Sequence, residues 1–273
     1  MSKRQVAVPG HWKSVKSLSH ENAVRVPVDR AVAKAVEDVV QKTWPQQLAG
    51  QGRDAAGISC AATIEVITVE QIENSHLYSK YENTRKEFCA RATKGTARKP
   101  SYPKVTSDSN EQPVLTSKQL MSQLDEQLIP DINEYFIFHG APQKHVQAIL
   151  NQGIDTRLSG KGMFGKGAYF CENSMKADQY ADDINNRTSG PHSMFLCKVI
   201  LGHSHIAKAP ANDLSRPPCL HHGTGACSCL PSEFYNSVMG THRDGGQRLL
   251  FREFIIYEQS QVYPAYLITY ERK

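Results

Sequence analysis

The stretch FREFIIYEQSQVYPAYLITY, residues 251–270, indicates the fold class because it contains two predicted strands in close succession. They are REFIIYE (252–258) and AYLITYE (265–271), and the first holds a continuous apolar run typical of a strand buried on both faces. Two further predicted strands, EYFIFHG (134–140) and SMFLCKVILG (193–202), precede them. Strands dominate this half of the chain without regular alternation with helices, so we expect an α+β fold with mostly antiparallel strands.

The first 58 residues differ from the rest of the chain in charge and pattern. They hold nine Lys or Arg residues against five Asp or Glu residues. Within them, AVAKAVEDVVQKTW (31–44) predicts one helix that ends before Pro45. GQGRDAAG (50–57) is typical of a linker, because its small residues give it little to pack. We therefore expect a basic N-terminal extension over 1–58 and a larger domain over 59–273.

Length and composition are typical of a globular protein and argue against a membrane-spanning one. The 273 residues are 40% apolar and 22% charged, which is near the average for globular domains. No run approaches the roughly 18 consecutive apolar residues of a membrane span. The opening residues, MSKRQVAVPGHWK, lack the apolar centre of a secretory signal. We therefore expect neither a membrane protein nor a Sec-exported precursor, and no membrane partner, while export by a route that leaves no such signal stays open.

Charge and cysteine content bear on the partners and the compartment. The chain has 32 Lys and Arg residues against 27 Asp and Glu residues, a net charge of +5 that is too mild to indicate nucleic acid binding by itself. Residues 85–104 concentrate seven basic side chains against one Glu, which is typical of a solvated loop or of a surface that attracts an anionic partner such as nucleic acid. The seven cysteines, an odd number, stand mostly alone beside apolar residues. They predict reduced thiols and an intracellular protein, cytoplasmic or nuclear.

Three features of the sequence are candidates for chemistry. His139 and Gly140 end an apolar strand, where the imidazole offers a hydrogen bond and the glycine lets a ligand approach the backbone, although a lone histidine is more often structural. GKGMFGKGAYF (160–170) lacks the spacing of a phosphate-binding loop and predicts either a mobile loop over a ligand or a hairpin. Glu253 heads an apolar strand, where a carboxylate must be paired, have a shifted pKa or be functional. A salt bridge at the strand end, with Arg252 or Arg248, is the plain alternative for Glu253.

From about residue 60 to its end, the chain resembles the catalytic domain of the poly(ADP-ribose) polymerase family, the diphtheria-toxin-like ADP-ribosyltransferases. Six segments carry the resemblance, in family order: EQIENSHLYSKY, EYFIFHGAP, QGIDTR, GKGMFGKGAYFCENSMKADQYA, MFLCKVILG and FREFIIYEQSQVYPAYLITY. The resemblance implies the ADP-ribosyltransferase fold, with mostly antiparallel strands in two packed sheets and flanking helices. It also implies that 59–273 is the catalytic domain.

The activity implied by the resemblance is cleavage of the nicotinamide–ribose bond of NAD+ and transfer of ADP-ribose to protein acceptors, this protein included. By motif position, Glu253 would bond the 2′-hydroxyl of the nicotinamide ribose and stabilise an oxocarbenium-like transition state. His139 would bond a ribose hydroxyl, and the backbone of Gly140 would bond the carboxamide. Tyr169 and Tyr180 would sandwich the nicotinamide ring. His139, Tyr169 and Glu253 match the His-Tyr-Glu pattern of the family and are the implied catalytic residues.

Other positions extend the implied NAD+ site or depart from the family pattern. Asp155 matches a position that contacts the adenosine end, and Lys176 matches a lysine that lines the same pocket. Met175 and Ala177 replace two serines that are common in the family, and the second serine normally bonds the nicotinamide carboxamide. Its loss removes a hydrogen bond of about 1 kcal/mol. The family associates a glutamate at the position of Glu253 with chain elongation, so formation of poly(ADP-ribose) stays open.

The segment CLHHGTGACSC (219–229) is the one cluster of zinc-type ligands in the sequence. We expect Cys219, His221, Cys227 and Cys229 to be the ligands of a structural zinc, although the spacing matches no standard zinc finger. Tankyrases, members of the family, carry a zinc site before the strand MFLCKVILG, whereas this cluster follows that strand. The alternative is an exposed loop with reduced thiols.

Two other functions remain compatible with the sequence. Some relatives transfer ADP-ribose to nucleic acid ends, for which the basic stretch 85–104 would be the binding surface. The second is an inactive module that binds NAD+ or ADP-ribose. The intact His139, Tyr169 and Glu253 argue against an inactive module, whereas Ala177 keeps it open.

Overall fold

The computed structural model describes residues 8–16, 23–48, 61–92, 102–103, 114–116, 128–160, 162–183, 187–242, 244–246 and 248–273. The linker predicted at 50–57 lies outside these residues. Of the basic stretch 85–104, the part over 85–92 is helical, and residues 93–101 and 104 lie outside the described part.

Nine strands in the described part of the chain form one hydrogen-bonded sheet. In chain order they are β1 (Val24–Pro27), β2 (Ile64–Glu73), β3 (Glu134–Gly140), β4 (Ala168–Cys171), β5 (His192–Ile200), β6 (Ser204–Ala207), β7 (Ser237–His242), β8 (Arg248–Ile256) and β9 (Val262–Arg272). Across the sheet the order is β1-β2-β9-β5-β3-β4-β8-β7-β6, and all neighbours are antiparallel except β6 and β7. The helices among the described residues are α1 (Arg30–Lys42), α2 (Ser75–Ala92), α3 (Gln143–Gln152) and α4 (Ser174–Asp178).

This architecture confirms the predicted α+β class with mostly antiparallel strands and flanking helices. The expectation of two separate packed sheets needs a correction, because hydrogen bonds join all nine strands into one sheet. The sheet nevertheless has two halves, since β3 and β4 share a single residue pair, Phe138 with Cys171. Beyond that pair the two strands separate, and the separation opens a cleft in the middle of the sheet.

Three hydrophobic clusters cover the faces of the sheet, and β3 and β5 contribute to the two larger ones. On β3, Phe136 and Phe138 pack into one core while Ile137 packs into the other, as the period of two along a strand requires. Every residue of β5 is buried, which agrees with the apolar run from Met194 to Cys197 and leaves Lys198 as a buried charge within the strand. None of the helices among the described residues combines the length and the apolar character needed to cross a bilayer.

Strand β9 begins at Val262, three residues before the predicted start at Ala265, and it contains Pro264. Pro264 has no N–H to donate to a ladder hydrogen bond, and prolines are uncommon inside strands. In the structure, Pro264 pairs with Cys197 next to a register shift between Leu196 and Cys197 on β5. The irregularity lets the strand continue through the proline.

The N-terminal extension packs on the same core as the rest of the chain. Strand β1 pairs with β2, and the Trp12 ring stacks on Tyr263 with the centroids 6.3 Å apart. The buried carboxylate of Glu73 accepts hydrogen bonds from three consecutive backbone N–H groups, those of residues 13–15, at 2.6–2.9 Å. Helix α1 begins at an N-cap, Asp29, whose side chain accepts from the Val32 N–H at 2.9 Å. Residues 8–16 and α1 therefore belong to the packed body of the protein.

Candidate active site

His139 lies where β3 and β4 separate, and its side chain replaces a hydrogen bond of the ladder. Its Nδ1 lies 2.9 Å from the carbonyl oxygen of Tyr169 on β4. A carbonyl only accepts, so Nδ1 is assigned as the N–H donor, and Nε2 of the neutral ring is an acceptor. Burial lowers the pKa of His139, which favours this neutral form. His139 therefore offers the cleft a fixed hydrogen-bond acceptor, which suits a hydroxyl donor.

Tyr169 is held by the glycine-rich segment that precedes it. Its hydroxyl accepts from the Phe164 N–H and donates to the Gly165 carbonyl, both at 2.9 Å. Gly162 and Gly165 form an isolated antiparallel bridge, so residues 162–165 make a tight turn, and movement of the segment over a ligand stays a prediction. A Cβ on Gly162 would lie 2.3 Å from the Tyr169 hydroxyl oxygen, so this glycine is required by packing. The Tyr169 ring consequently has a fixed orientation beside the cleft.

Glu253 forms a buried ion pair with Lys176. The Lys176 Nζ lies 2.9 Å from Glu253 Oε1, with 2% and 7% of the two side chains exposed. Arg252, the neighbour that offered a plain salt bridge, instead pairs with Glu172, with Nη2 and Oε2 2.8 Å apart. Removing both charges from water costs free energy, and only a close, well-oriented contact between Lys176 and Glu253 offsets that cost. It brings an ion pair to the wall of a cavity that His139 also lines.

Gly140 allows helix α4 to approach the end of β3. A Cβ at this position would lie 1.8 Å from the Ala177 carbonyl oxygen. The sequence suggested that the glycine makes room for a ligand; the structure shows that it makes room for the backbone of α4. This contact places Lys176 and Ala177 at the cleft, together with Tyr180, whose N–H donates to the Ala177 carbonyl at 3.0 Å.

The cleft consists of two adjoining cavities. The inner one, of about 60 Å³, is lined by nine residues that include six predicted site residues: His139, Gly140, Tyr169, Lys176, Tyr180 and Glu253. The outer one, of about 460 Å³, shares His139, Gly140 and Tyr180 with it and extends to Asp155. There the Asp155 carboxylate accepts two hydrogen bonds from the Arg157 side chain, at 2.7 and 2.9 Å. The structure thus brings every predicted NAD+-site residue to one continuous cleft.

A buried ionic network that the sequence did not predict supports α4 from one side. Asp178 accepts from the Tyr270 hydroxyl at 2.5 Å and from Arg272 Nε at 2.9 Å, while Arg187 Nη2 bonds its second oxygen at 2.6 Å. Asp182 bonds both arginines as well, and although burial raises its pKa, the hydrogen bonds from Arg272 and the Thr188 N–H outweigh burial and lower it. The partners are far apart in sequence, so no local pattern reveals them.

The N-terminal extension supports α4 from another side. The Ser174 hydroxyl donates to the Val40 carbonyl at 2.7 Å and lies 3.1 Å from the Thr43 hydroxyl. Thr43 Oγ1 also accepts from the Ser174 N–H at 3.2 Å. The C-terminal end of α1 therefore contacts the first residue of the helix that carries Lys176.

The Cys/His segment forms a cluster of its own. The ligand atoms of Cys219, His222, Cys227 and Cys229 lie within 4.8 Å of one another. His222 thus takes the place predicted for His221, whose Nε2 points instead to Glu233 at 3.3 Å. Burial raises the pKa of the Cys219 thiol, but hydrogen bonds from the His221 N–H and the His222 ring outweigh burial and lower it to about 6. The four residues are a metal-ligand set by type and by proximity, and none of them lines either cavity of the cleft.

Comparison with known proteins agrees with the geometry of the cleft. Protein mono-ADP-ribosyltransferase PARP12 of Mus musculus is 29% identical over 142 residues, which are 51% of this chain and 17% of the relative. Protein mono-ADP-ribosyltransferase PARP11 of Mus musculus is 26% identical over 165 residues, 52% of this chain and 44% of the relative. A probable poly [ADP-ribose] polymerase of Dictyostelium discoideum is 26% identical over 215 residues, 77% of this chain and 46% of the relative.

The chain spans less than half the length of each of these relatives. The family model described as the poly(ADP-ribose) polymerase catalytic domain matches residues 51–272, which is most of the chain. The match includes His139, Tyr169 and Glu253, which the folded sheet brings to one cavity. The chain therefore belongs to the family of poly(ADP-ribose) polymerase catalytic domains.

Proposed function

We propose that this protein is an NAD-dependent ADP-ribosyltransferase that cleaves the nicotinamide–ribose bond of NAD+ and transfers ADP-ribose to protein acceptors, itself included. The observation that carries the proposal is the buried Lys176–Glu253 pair on the wall of a cavity that His139 and Tyr169 also line. We assign the catalytic unit to residues 59–273 and treat residues 1–58 as a basic extension, whose described parts, 8–16 and 23–48, pack against that unit.

The Glu253 carboxylate suits the charge that develops in this reaction. When the C–N bond breaks, its electron pair leaves with the nicotinamide nitrogen and positive charge grows on the ribose. A carboxylate fixed in a water-poor site stabilises that charge more than one in water does. Lys176 holds Oε1 at 2.9 Å, so the carboxylate is oriented before substrate binds. We assign the second oxygen, Oε2, to the ribose 2′-hydroxyl.

The remaining cleft residues support binding of NAD+ from one end to the other. We assign the nicotinamide ring to the space between Tyr169 and Tyr180, where offset stacking on aromatic rings is favourable. The neutral His139 accepts a hydrogen bond from a ribose hydroxyl through Nε2. Asp155 lines the outer cavity and not the inner one, which suits the adenosine end. The size of the outer cavity, about 460 Å³, suits the larger part of the dinucleotide.

We propose that the product includes poly(ADP-ribose), because Glu253 retains the glutamate that the family associates with elongation. The relatives do not decide this point, since their names include both mono-ADP-ribosyltransferases and a probable poly [ADP-ribose] polymerase. Transfer to nucleic acid ends is the second candidate acceptor chemistry. It rests on the basic side chains of 85–104. Arg85 contributes little to such a surface, because it pairs with Glu82 and Glu134.

The test is incubation of the purified protein with biotinylated NAD+, with and without a single-stranded oligonucleotide, followed by gel electrophoresis. We expect label on the protein, and a high-molecular-weight smear if polymer forms. A sharp labelled band would limit the product to single transfer and refute elongation. Label on the oligonucleotide alone would overturn the protein-acceptor assignment. A blank gel, with nicotinamide-site ligands still bound, would make the protein a binding module.

We place the protein in a reducing compartment, the cytoplasm or the nucleus. The described cysteines are all free thiols, six in number. Cys171 and Cys197 are buried, and burial raises the pKa of the Cys171 thiol to about 12, which keeps it unreactive. Fractionation of host cells with an antibody to the protein tests this placement, and secretion with oxidised cysteines would overturn it.

A further inference from the structure

The loop between β6 and β7 assembles metal-ligand side chains outside the NAD+ cleft. Cys219, His222, Cys227 and Cys229 bring three thiols and one imidazole within 4.8 Å of one another. Their spacing is Cys-x2-His-x4-Cys-x-Cys. Three thiolates and one imidazole form a common ligand set of structural zinc sites. We propose that these four residues bind one zinc ion, and that the ion is structural.

The two distances from the His222 nitrogen match the nitrogen–sulfur edges of a tetrahedral zinc site. His222 Nδ1 lies 3.5 Å from Cys219 Sγ and 3.4 Å from Cys229 Sγ. A zinc ion about 2.3 Å from sulfur and about 2.0 Å from nitrogen places those two atoms about 3.5 Å apart at the tetrahedral angle. A single ring nitrogen forms one hydrogen bond, so hydrogen bonding accounts for one of the two contacts. A shared ion accounts for both.

The backbone around Cys219 and His222 is a turn that presents both ligands to one point. The N–H of Cys219 donates to the Gly223 carbonyl at 2.8 Å, and the Gly223 N–H returns a bond to the Cys219 carbonyl at 2.9 Å. Gly223 has φ +60°, a value that favours glycine. The His221 N–H lies 3.4 Å from Cys219 Sγ, which stabilises negative charge on that sulfur. The turn directs His222 to the sulfur and leaves His221 on the exposed side.

The loop also lacks the apolar packing that would hold it without a metal. Leu220 and Leu230, which adjoin Cys219 and Cys229 in the sequence, are 38% and 67% exposed. Segments with so little buried apolar surface are usually held by disulfides or metal ions. Cys219, Cys227 and Cys229 are free thiols, so no disulfide among them holds the loop. With four protein ligands the coordination of zinc is closed, so the site is structural rather than catalytic.

The loop contacts the glycine-rich segment that holds Tyr169. The Ala211 N–H donates to the Met163 carbonyl at 2.8 Å, and the Lys166 N–H donates to the Leu214 carbonyl at 2.7 Å. A Cβ on Gly165 would lie 2.2 Å from the Leu214 carbonyl oxygen, so the two segments are in tight contact. Order in the loop therefore supports the wall of the cleft without supplying any group to the chemistry.

The experiment measures zinc in the full chain, purified without chelator, by mass spectrometry of the metal. We expect about one zinc per chain in the wild-type protein and in His221→Ala, and at least about tenfold less in His222→Ala and Cys227→Ser. His221→Ala is the matched control for His222→Ala, because the same substitution is made at the adjacent residue. Retention of zinc by His222→Ala with loss in His221→Ala would overturn the ligand set.

Two further measurements cover variants that fold poorly. His222→Cys supplies a fourth thiolate at the same position, and we expect it to restore about one zinc per chain. Exchange with Co²⁺ gives the visible absorption of tetrahedral thiolate coordination in the wild-type protein and in His221→Ala. Wild-type protein that holds no zinc after incubation with Zn²⁺, and shows no such absorption with Co²⁺, would refute the site.

Discussion

The NAD+ cleft and the Cys/His loop gather functional side chains in opposite ways. His139, Tyr169 and Glu253 sit on β3, β4 and β8, where strand register fixes their positions. The ligands at 219–229 sit on irregular backbone, where the side chains come together through one turn. The cleft is built on a core that exists without its ligand, whereas the loop has little core of its own. Changes in the cleft should therefore affect chemistry first, and changes in the loop should affect stability first.

The largest expected effect is on chemistry, from Glu253→Gln. The amide keeps the shape of the side chain but removes the charge that stabilises the ribose cation, so transfer should fall by about 10²–10³-fold. Single-turnover transfer from labelled NAD+ measures the effect. Glu258→Gln, an exposed position five residues along the chain, is the control and should transfer as the wild type does.

The substitution also leaves Lys176 beside a neutral partner, so thermal unfolding and inhibitor binding must be measured in parallel. Glu253→Gln that binds nicotinamide-site inhibitors and transfers within tenfold of the wild type would refute the assignment of Glu253. It would also contradict the expectation that changes in the cleft reduce transfer first, whereas changes in the loop reduce folding stability first.

The next effect tests whether the geometry of the cleft depends on the approach of α4 to β3. In Gly140→Ala, the added Cβ would meet the Ala177 carbonyl oxygen at 1.8 Å, so α4 must shift. Such overpacking costs about 1–3 kcal/mol, and the shift should weaken nicotinamide-site inhibitors because Lys176 and Tyr180 move with the helix. Calorimetry of inhibitor binding measures the loss of affinity. Gly160→Ala, with nothing within 4 Å of the added methyl group, should be silent in the same assay.

The same contrast explains how much of the molecule the sequence could predict. Periodicity located β3 at its observed bounds, and the resemblance to the family placed His139, Tyr169 and Glu253 in one cavity. In the loop no period distinguishes His221 from His222, since adjacent residues on irregular backbone point in directions that only the turn decides.

Contacts between distant segments were also beyond sequence reasoning. Arg272 bonds Asp178 although 94 residues separate them, and Ser174 bonds the end of α1 across more than 130 residues. Neither contact leaves a local pattern in hydropathy or spacing. The reason for Gly140 was likewise hidden, because the α4 carbonyl that fills its Cβ position comes from residue 177.

Removal of zinc should affect stability more than the cleft. A structural ion adds folding free energy, so a chelator should destabilise the protein by about 2 kcal/mol and lower Tm by about 4–8 °C. Differential scanning fluorimetry with and without chelator measures the shift, and added Zn²⁺ should reverse it. Inhibitor affinity in the folded, chelated protein should stay within about threefold of the untreated value, because no zinc ligand lines the cleft. If the chelator abolished inhibitor binding and left Tm unchanged, the cysteines would act on the cleft rather than on folding stability.

The smallest expected effect comes from restoring a hydroxyl that the family commonly carries, in Ala177→Ser. Ala177 is buried and lines the inner cavity with Tyr169 and Glu253, so a serine there supplies a hydrogen bond to the nicotinamide carboxamide. A neutral hydrogen bond contributes about 1 kcal/mol, so nicotinamide-site inhibitors should bind about fivefold more tightly. Ala148→Ser makes the same chemical change in the outer cavity and should leave their affinity unchanged. Equal affinities for the wild type and Ala177→Ser would mean that the carboxamide does not reach α4. The nicotinamide would then lie elsewhere in the cleft, even with the Glu253 assignment intact.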